Sequence, residues 1–65
     1  MEMLTWEART KKNLTLMQLS KKTGLSKSYL KKVETNQTSP RLCHLEKIAI
    51  ALDCKITDLY DSEYK

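Results

Sequence analysis

Within little more than one helical turn, the chain places four side chains that can donate hydrogen bonds: Lys27, Ser28, Lys31 and Lys32. An ammonium group donates to anions and to carbonyl or ring-nitrogen acceptors, whereas a hydroxyl both donates and accepts. Leu30 and Val33 stand among them, three residues apart, which is typical of one buried helix face. The pattern predicts a short helix that buries an apolar face and presents its donors to a partner rich in acceptors.

The charge distribution favours an anionic partner on one side of the molecule. The 65 residues carry a formal net charge of +4. Nine basic residues between Arg9 and Arg41 stand against a single acid, Glu34, whereas from Leu42 onward there are three lysines and five acids. A surface of one sign attracts a polyanion. The alternative is a solvated lysine face that serves only solubility.

Length and composition indicate one compact helical domain. The chain is 40% hydrophobic, with one Gly, one Pro and no Phe, and this composition is not that of a disordered segment. The longest apolar run covers residues 48–52, which is too short to cross a bilayer, and the charged start resembles no signal peptide. We therefore expect a cytoplasmic protein with no membrane association.

The cysteines and the histidine do not suggest a metal site or a disulfide. Cys43 and Cys54 lack a Cys-x-x-Cys spacing, and His44 is the single histidine. Thiols of a cytosolic helical domain stay reduced, so Cys54, and with less support Cys43, are interpreted as small packing residues. We expect no metal, cofactor or small-molecule ligand.

Five short helices fit the pattern, and the second and third form a helix-turn-helix over about residues 16–35 of a single domain, 1–65. The first covers about residues 4–12 and ends at Asn13. Thr15 with Gln18 three residues later forms a capping box that begins the second, which stops at Gly24. Ser26 is a good N-cap for the third.

The later elements follow similar signals. Asn36 can close the third helix in the left-handed region. Ser39 as N-cap with Pro40 at the first position predicts the start of a fourth helix, and a short fifth helix holds Ile56 and Leu59. The fold class expected is therefore all-α.

Two stretches in one frame resemble the Cro/XRE-type, phage-repressor-like helix-turn-helix domains. "LTLMQLSKKTGLSKSYLKKVE" is similar to the family's helix-turn-helix motif, with Ser20 at the helix crossing and Gly24 at the turn. "VETNQTSPRLCHLEKIAIALDCKITDLY" is similar to the glutamate, turn, Pro and leucine-spaced helix that follow it. Three positions depart from the family pattern: Leu16 replaces a phosphate-binding Gln, Asn36 a Gly, and Gln37 a basic residue.

The resemblance implies a sequence-specific regulator of transcription, most simply a repressor, that contacts double-stranded DNA through the third helix. A helix fits the major groove, where lysine donates to guanine O6 and N7. The base-contacting candidates are Lys27, Ser28, Lys31 and Lys32, and Tyr29 either contacts a base or sugar or covers the turn. The phosphate-contacting candidates are Thr15, Gln18, Thr35, Asn36, Gln37 and Thr38.

The resemblance also implies an inward-facing ion pair between Arg9 and Glu34, and a homodimer, at least on DNA. The apolar residues available for pairing are Ile56, Leu59, Tyr60 and Tyr64, unless they only close the core.

Three alternatives to a DNA-binding regulator can be compared with the sequence. The same fold serves as an antitoxin or adaptor that binds a partner protein, and the acidic C-terminal stretch is compatible with that role. An enzyme is not expected, because the sequence has no paired carboxylates and no glycine-rich phosphate loop. Aromatic residues are few for stacking on single-stranded RNA.

Overall fold

The computed structural model describes residues 1–64, and its helices surround one core. Four α-helices follow one another: α1 (Thr5–Lys11), α2 (Leu16–Thr23), α3 (Lys27–Glu34) and α4 (Leu42–Leu52). The elements outside this set are short: strand β1 (Glu2–Met3) before α1, then a 3-10 turn (Ile56–Asp58) and strand β2 (Tyr60–Asp61) after α4. The molecule is a small, mostly helical domain.

The expected fifth helix is wrong. Residues 56–58 form a single 3-10 turn, and the chain then extends into β2, which pairs antiparallel with β1. Met3 lies opposite Tyr60 and Glu2 opposite Asp61. A two-residue strand shows no periodicity in the sequence, and this one forms only because its partner arrives from the other end of the chain.

The starts of α2 and α3 are confirmed. The Gln18 amide donates to Thr15 Oγ1 over 3.1 Å, and the Thr15 amide donates to Gln18 Oε1 over 2.9 Å. Ser26 Oγ accepts from the Tyr29 amide at 3.1 Å. Between the helices Gly24 has φ of 75°, a left-handed conformation that costs glycine little.

The predicted start of α4 is wrong. Arg41, not Ser39, occupies the N-cap position, and no side chain caps the helix there. The amides of His44 and Leu45 both donate to the Arg41 carbonyl, so the first intrahelical acceptor lies beyond Pro40. The Ser-Pro pair is a local preference, and here the loop from α3 stays extended past it.

The core is confirmed where helical spacing predicted it. Leu30 and Val33, the predicted inward residues of α3, have 1% and 0% of their surface exposed. They pack in one cluster with residues from every helix except α1 and from both terminal segments: Met3, Leu19, Leu45, Ile48, Ala49, Leu52 and Leu59. The buried face of α3 is therefore fixed against the rest of the molecule.

The two terminal segments and the loop after α3 are linked by hydrogen bonds. The Leu4 amide donates to the Leu59 carbonyl over 2.8 Å. The Met3 amide donates to Asn36 Oδ1 over 2.9 Å, and Asn36 has the predicted left-handed φ, 60°. We call β1, β2 and these two bonds the terminal clasp.

Both cysteines among residues 1–64 are free thiols, Cys43 exposed and Cys54 half-buried against the core. Burial raises the pKa of the Cys54 thiol, and the neighbouring Asp58 acts in the same direction. Cys54 therefore stays a neutral packing group, as predicted. Over the same residues, every helix is too short or too polar to traverse a bilayer.

Candidate nucleic-acid interface

The four donor side chains of α3 lie together on its solvent side. Lys27, Ser28, Lys31 and Lys32 are all exposed, and we call them the outer face of α3. At about 100° per residue, Ser28 lies opposite the buried Leu30–Val33 stripe. Lys31 and Lys32 flank it, and Lys27 lies nearer the edge. Within residues 1–64 none of these four side chains makes a hydrogen bond or an ion pair.

Side-chain bonds hold the turn that carries α3. Ser20 Oγ donates to the Leu25 carbonyl over 2.6 Å, and Thr23 Oγ1 donates to the Leu19 carbonyl over 2.8 Å while accepting from the Leu25 amide. The turn between α2 and α3 is thus bonded to α2 from both sides. The angle at which α3 leaves α2 is set by these bonds as well as by packing.

Arg9 and Glu34 form a two-pronged pair between α1 and α3. Arg9 Nε lies 2.7 Å from Glu34 Oε2 and Arg9 Nη2 lies 3.2 Å from Glu34 Oε1. Arg9 Nη1 donates to the Leu14 carbonyl over 2.7 Å. The side chains are 12% and 2% exposed. The single acid of the basic segment is therefore turned away from solvent, and the outer face of α3 carries positive charge only.

Tyr29 is turned toward α4 rather than outward. Its hydroxyl lies 2.9 Å from His44 Nδ1, and the two rings meet edge to face with centroids 5.2 Å apart. Both residues are half-buried. The DNA contact predicted for Tyr29 stays a prediction, and in this structure its polar atom is directed at α4.

The loop after α3 differs from residue to residue in the donors it leaves available. Thr35 Oγ1 donates to the Lys31 carbonyl over 2.9 Å, so its hydroxyl proton is engaged. Asn36 uses Oδ1 for the Met3 amide, which leaves its NH₂ group. Gln37 is exposed and Thr38 half-buried. Of these four residues, Gln37 presents its donors most openly.

The capping box at the start of α2 also leaves hydrogen-bond donors available on the surface. Thr15 and Gln18 use oxygen acceptors for each other's amides. The Thr15 hydroxyl proton and the Gln18 NH₂ group remain on an exposed surface. The cap thus fixes both side chains with their donors outward.

One feature of this side of the molecule was missed from the sequence. The first amides of α4, at Leu42 and Cys43, have no intrahelical acceptor, and no side chain caps them. Arg41 stands at that helix end, exposed. The helix dipole adds partial positive charge there. The sequence did not predict these free amides, because it placed the N-cap at Ser39, where a serine side chain would have capped the helix start.

The C-terminal residues predicted to pair two copies mostly close the core. Leu59 is fully buried, Ile56 and Tyr60 are half-buried, and Tyr64 is exposed. Other large exposed apolar side chains include Trp6 of α1, Met17 of α2, and Leu42 and Ile50 of α4, the last two with 71% and 74% of their surface exposed.

Among residues 1–64 no cluster of His, Cys, Asp and Glu could hold a metal ion. The side chains that the structure brings together are exposed hydrogen-bond donors. The arrangement can bind acceptors and phosphate-like charge.

Comparisons with known proteins agree with this geometry. The family model described as Helix-turn-helix matches residues 7–59. The HTH-type transcriptional regulators SinR and SlrR of Bacillus subtilis (strain 168) are each 38% identical, over 58 and 56 residues, which is 88% and 85% of this chain. The chain spans only 52% and 37% of those two regulators.

Two solved structures have the same fold. The N-terminal DNA binding domain of SinR from Bacillus subtilis superposes with a TM-score of 0.81 at 32% identity, covering 94% of this chain and 90% of that one. The restriction-modification controller protein C.AhdI from Aeromonas hydrophila also gives a TM-score of 0.81, at 36% identity, over 86% of this chain and 85% of that one.

Proposed function

Because the chain belongs to the Cro/XRE-type helix-turn-helix family, we propose that it binds specific sites in double-stranded DNA and regulates transcription, most simply as a repressor. The observation that carries this proposal is the outer face of α3. Its four donors are exposed and have no bonding partner within residues 1–64, while Glu34, the single acid between Arg9 and Arg41, is turned inward.

Base contacts are assigned to the outer face of α3. A helix with its side chains is ~10–12 Å across, and the major groove is ~12 Å wide, so α3 can enter it. Ser28, at the centre of that face, has the shortest reach and would lie closest to the base edges. Lys27, Lys31 and Lys32 can extend to guanine O6 and N7 or to flanking phosphates.

Phosphate contacts are assigned to the donors that border α3. The Gln37 and Thr38 side chains follow the helix, the Asn36 NH₂ group lies between them and α3, and Thr15 with Gln18 lies at the start of α2. The amide and the hydroxyl of Thr35 both donate to the Lys31 carbonyl, so Thr35 would contact a phosphate only after its hydroxyl turns away from that carbonyl. The uncapped start of α4 beside Arg41 is a further place where amides can hold a phosphate.

A homodimer on DNA completes the proposal. One short helix covers only a few base pairs, and helix-turn-helix dimers bind half-sites about one helical turn apart. Leu42 and Ile50 lie eight residues apart on α4, about two turns, and both are exposed. They supply apolar surface for pairing that the buried C-terminal residues do not.

Salt dependence tests the proposal. Binding to mixed-sequence duplex should weaken as salt rises, with a log–log slope of about −0.9 for each phosphate neutralised. Sites selected from a random duplex pool should then bind more tightly than the mixed sequence at the same salt. A chain that shows no duplex binding at low salt would instead favour the antitoxin or adaptor role, in which a protein is the partner.

Sedimentation of the complex tests the dimer separately. Two chains per selected duplex are expected, and Ile50→Glu should lower that number to one, while Ile56→Val leaves it at two. One chain per duplex at saturation for the unmodified protein would contradict the dimer but not DNA binding.

A further inference from the structure

The contact between Tyr29 and His44 has no place in the proposed base or phosphate contacts, yet it lies in the first turn of α3, next to Ser28. We infer that this hydrogen bond sets the roll of α3 about its own axis and so positions the outer face of α3 for base discrimination. The inference rests on the proposed function and gives Tyr29 and His44 a positioning role, which the sequence did not suggest.

The first support is where the two polar anchors of α3 stand. At about 100° per residue, Tyr29 and Glu34 lie about equally far to either side of the Leu30–Val33 stripe. Glu34 is held by Arg9 of α1, and Tyr29 is held by His44 of α4. The helix is therefore tethered on both flanks, near its start on one side and at its end on the other.

Second, the packing of Leu30 and Val33 against the core does not by itself fix the rotation of α3 about its axis. Leucine and valine contacts are non-directional, whereas a hydrogen bond weakens steeply as its angle falls. The bonds to Leu25 hold the backbone ahead of α3, and Glu34 holds the far end of the helix, but neither acts on a side chain of its first turn. The Tyr29 hydroxyl at 2.9 Å from His44 Nδ1 restrains that turn.

Third, even a small rotation of α3 about its axis would displace the outer atoms of its side chains by enough to disturb a hydrogen bond. Side chains on a helix lie ~5–6 Å from its axis, so a roll of ~10° moves their outer atoms by ~1 Å. Donor–acceptor distances in good hydrogen bonds span only ~0.5 Å. Ser28 is one residue from Tyr29 and has a short side chain that cannot follow such a shift, whereas the lysines can.

The direction of the bond follows the imidazole tautomer: Nδ1 accepts from the Tyr29 hydroxyl when the ring proton is on Nε2, and donates to the hydroxyl oxygen when it is on Nδ1. In either case Tyr29→Phe removes the hydroxyl and keeps the ring that packs against the core and against the His44 ring. The matched control is Tyr64→Phe, which removes a hydroxyl from an exposed tyrosine.

A measurement without DNA decides whether the bond sets the orientation of α3. Amide residual dipolar couplings should place α3 of Tyr29→Phe at a different roll or with greater amplitude of motion relative to α2. The Tyr64→Phe variant should reproduce the wild-type orientation. If the couplings of Tyr29→Phe fit the wild-type orientation as well as those of the control, the inference is overturned, whatever the DNA results.

A second measurement decides whether the orientation matters for base discrimination. The ratio of affinities for the selected duplex and for one with a single base pair changed should fall about 2- to 10-fold in Tyr29→Phe and stay unchanged in Tyr64→Phe. In His44→Leu the ratio should fall by a similar factor. His44→Asn, whose side-chain oxygen can accept in place of Nδ1, should retain most of it. Equal losses in the Leu and Asn variants would overturn the hydrogen bond as the cause.

The two measurements also separate this inference from the proposed function. If the unmodified chain binds no duplex at low salt, the proposed function is wrong. The residual dipolar couplings still show whether the Tyr29–His44 bond fixes the orientation of α3. If the chain discriminates between duplexes but Tyr29→Phe discriminates equally well, DNA binding stands and the positioning role falls.

Discussion

The two sides of α3 differ in whether their polar groups have found partners inside the molecule. On the inner side Glu34 is 2% exposed and bonded twice to Arg9. On the outer side Ser28, Lys31 and Lys32 are exposed and unbonded within the described part of the chain. A polar group that is satisfied internally serves the fold, and one that is left unsatisfied on a fixed surface is available to a ligand. The comparison predicts that substitutions on the inner side lower the stability of the fold, whereas substitutions on the outer side weaken DNA binding.

The largest effect is expected on the inner side. Glu34→Ala or Arg9→Ala should lower the free energy of unfolding by ~3–5 kcal/mol, because each leaves its partner charged and buried without its counter-charge. A 65-residue domain has only ~3–10 kcal/mol in total, so the loss is a large fraction of its stability. Urea denaturation followed by circular dichroism measures the change, with Lys21→Ala as the control.

Replacing Arg9 and Glu34 together tests whether the loss of stability comes from the stranded charge. Arg9→Met combined with Glu34→Leu leaves no stranded charge and should lie much closer to wild type than either single variant. Melting of both single variants at the same temperature as Lys21→Ala would mean that the pair contributes nothing.

A smaller effect, visible only with DNA, is expected on the outer side. Ser28→Ala or Lys32→Ala should weaken binding to the selected duplex by ~1–3 kcal/mol and relax the choice of base at one position. Their unfolding free energies should change by less than ~0.5 kcal/mol, since these side chains contact nothing inside. Competition binding on the selected duplex and on single-base variants measures both effects.

Gln37→Ala is the comparison for that experiment. It should weaken binding to all duplexes about equally, because a phosphate contact is blind to sequence. If Lys32→Ala behaves like Gln37→Ala, Lys32 holds a phosphate, and discrimination must come from Ser28 or from the shape of the DNA.

The smallest effect compares two asparagines with nearly the same backbone. Asn13 and Asn36 have φ of 58° and 60°, but only Asn36 accepts a hydrogen bond, from the Met3 amide. Glycine relieves left-handed strain at both positions. Asn36→Gly should nevertheless be less stable than Asn13→Gly by ~1 kcal/mol, the net worth of the lost bond. Equal thermal midpoints would show that the Met3 bond adds nothing.

The sequence sufficed for features that depend on neighbours along the chain. The capping box at Thr15, the serine cap of α3, the left-handed Gly24 and the inward Leu30 and Val33 all follow from local spacing and cap chemistry. The family resemblance implied the Arg9–Glu34 pair, which joins residues 25 positions apart and which spacing alone does not suggest.

Features that depend on distant contacts or on competing local preferences were not predicted. The strand pair between β1 and β2 requires both ends of the chain to meet. The Tyr29–His44 bond requires the first turn of α4 to lie beside the first turn of α3, and its partners are 15 residues apart. The start of α4 was misplaced because the Ser39–Pro40 preference is strong in isolation and is overridden here.

The terminal clasp has a consequence for the order in which the protein folds and opens. Glu2 and Asp61 meet across nearly the entire chain, so the clasp closes the largest loop and forms after the local turn between α2 and α3. Each of its strands has two residues, so the clasp should open at a lower free energy than α2, α3 and α4, at the cost of exposing Met3 of the core cluster. Each opening separates the Met3 amide from Asn36, so the loop beside α3 gains freedom while α2, α3 and α4 stay folded. The backbone at the proposed phosphate-binding loop thus has its own, lower, opening free energy, one that is set by the opposite end of the chain.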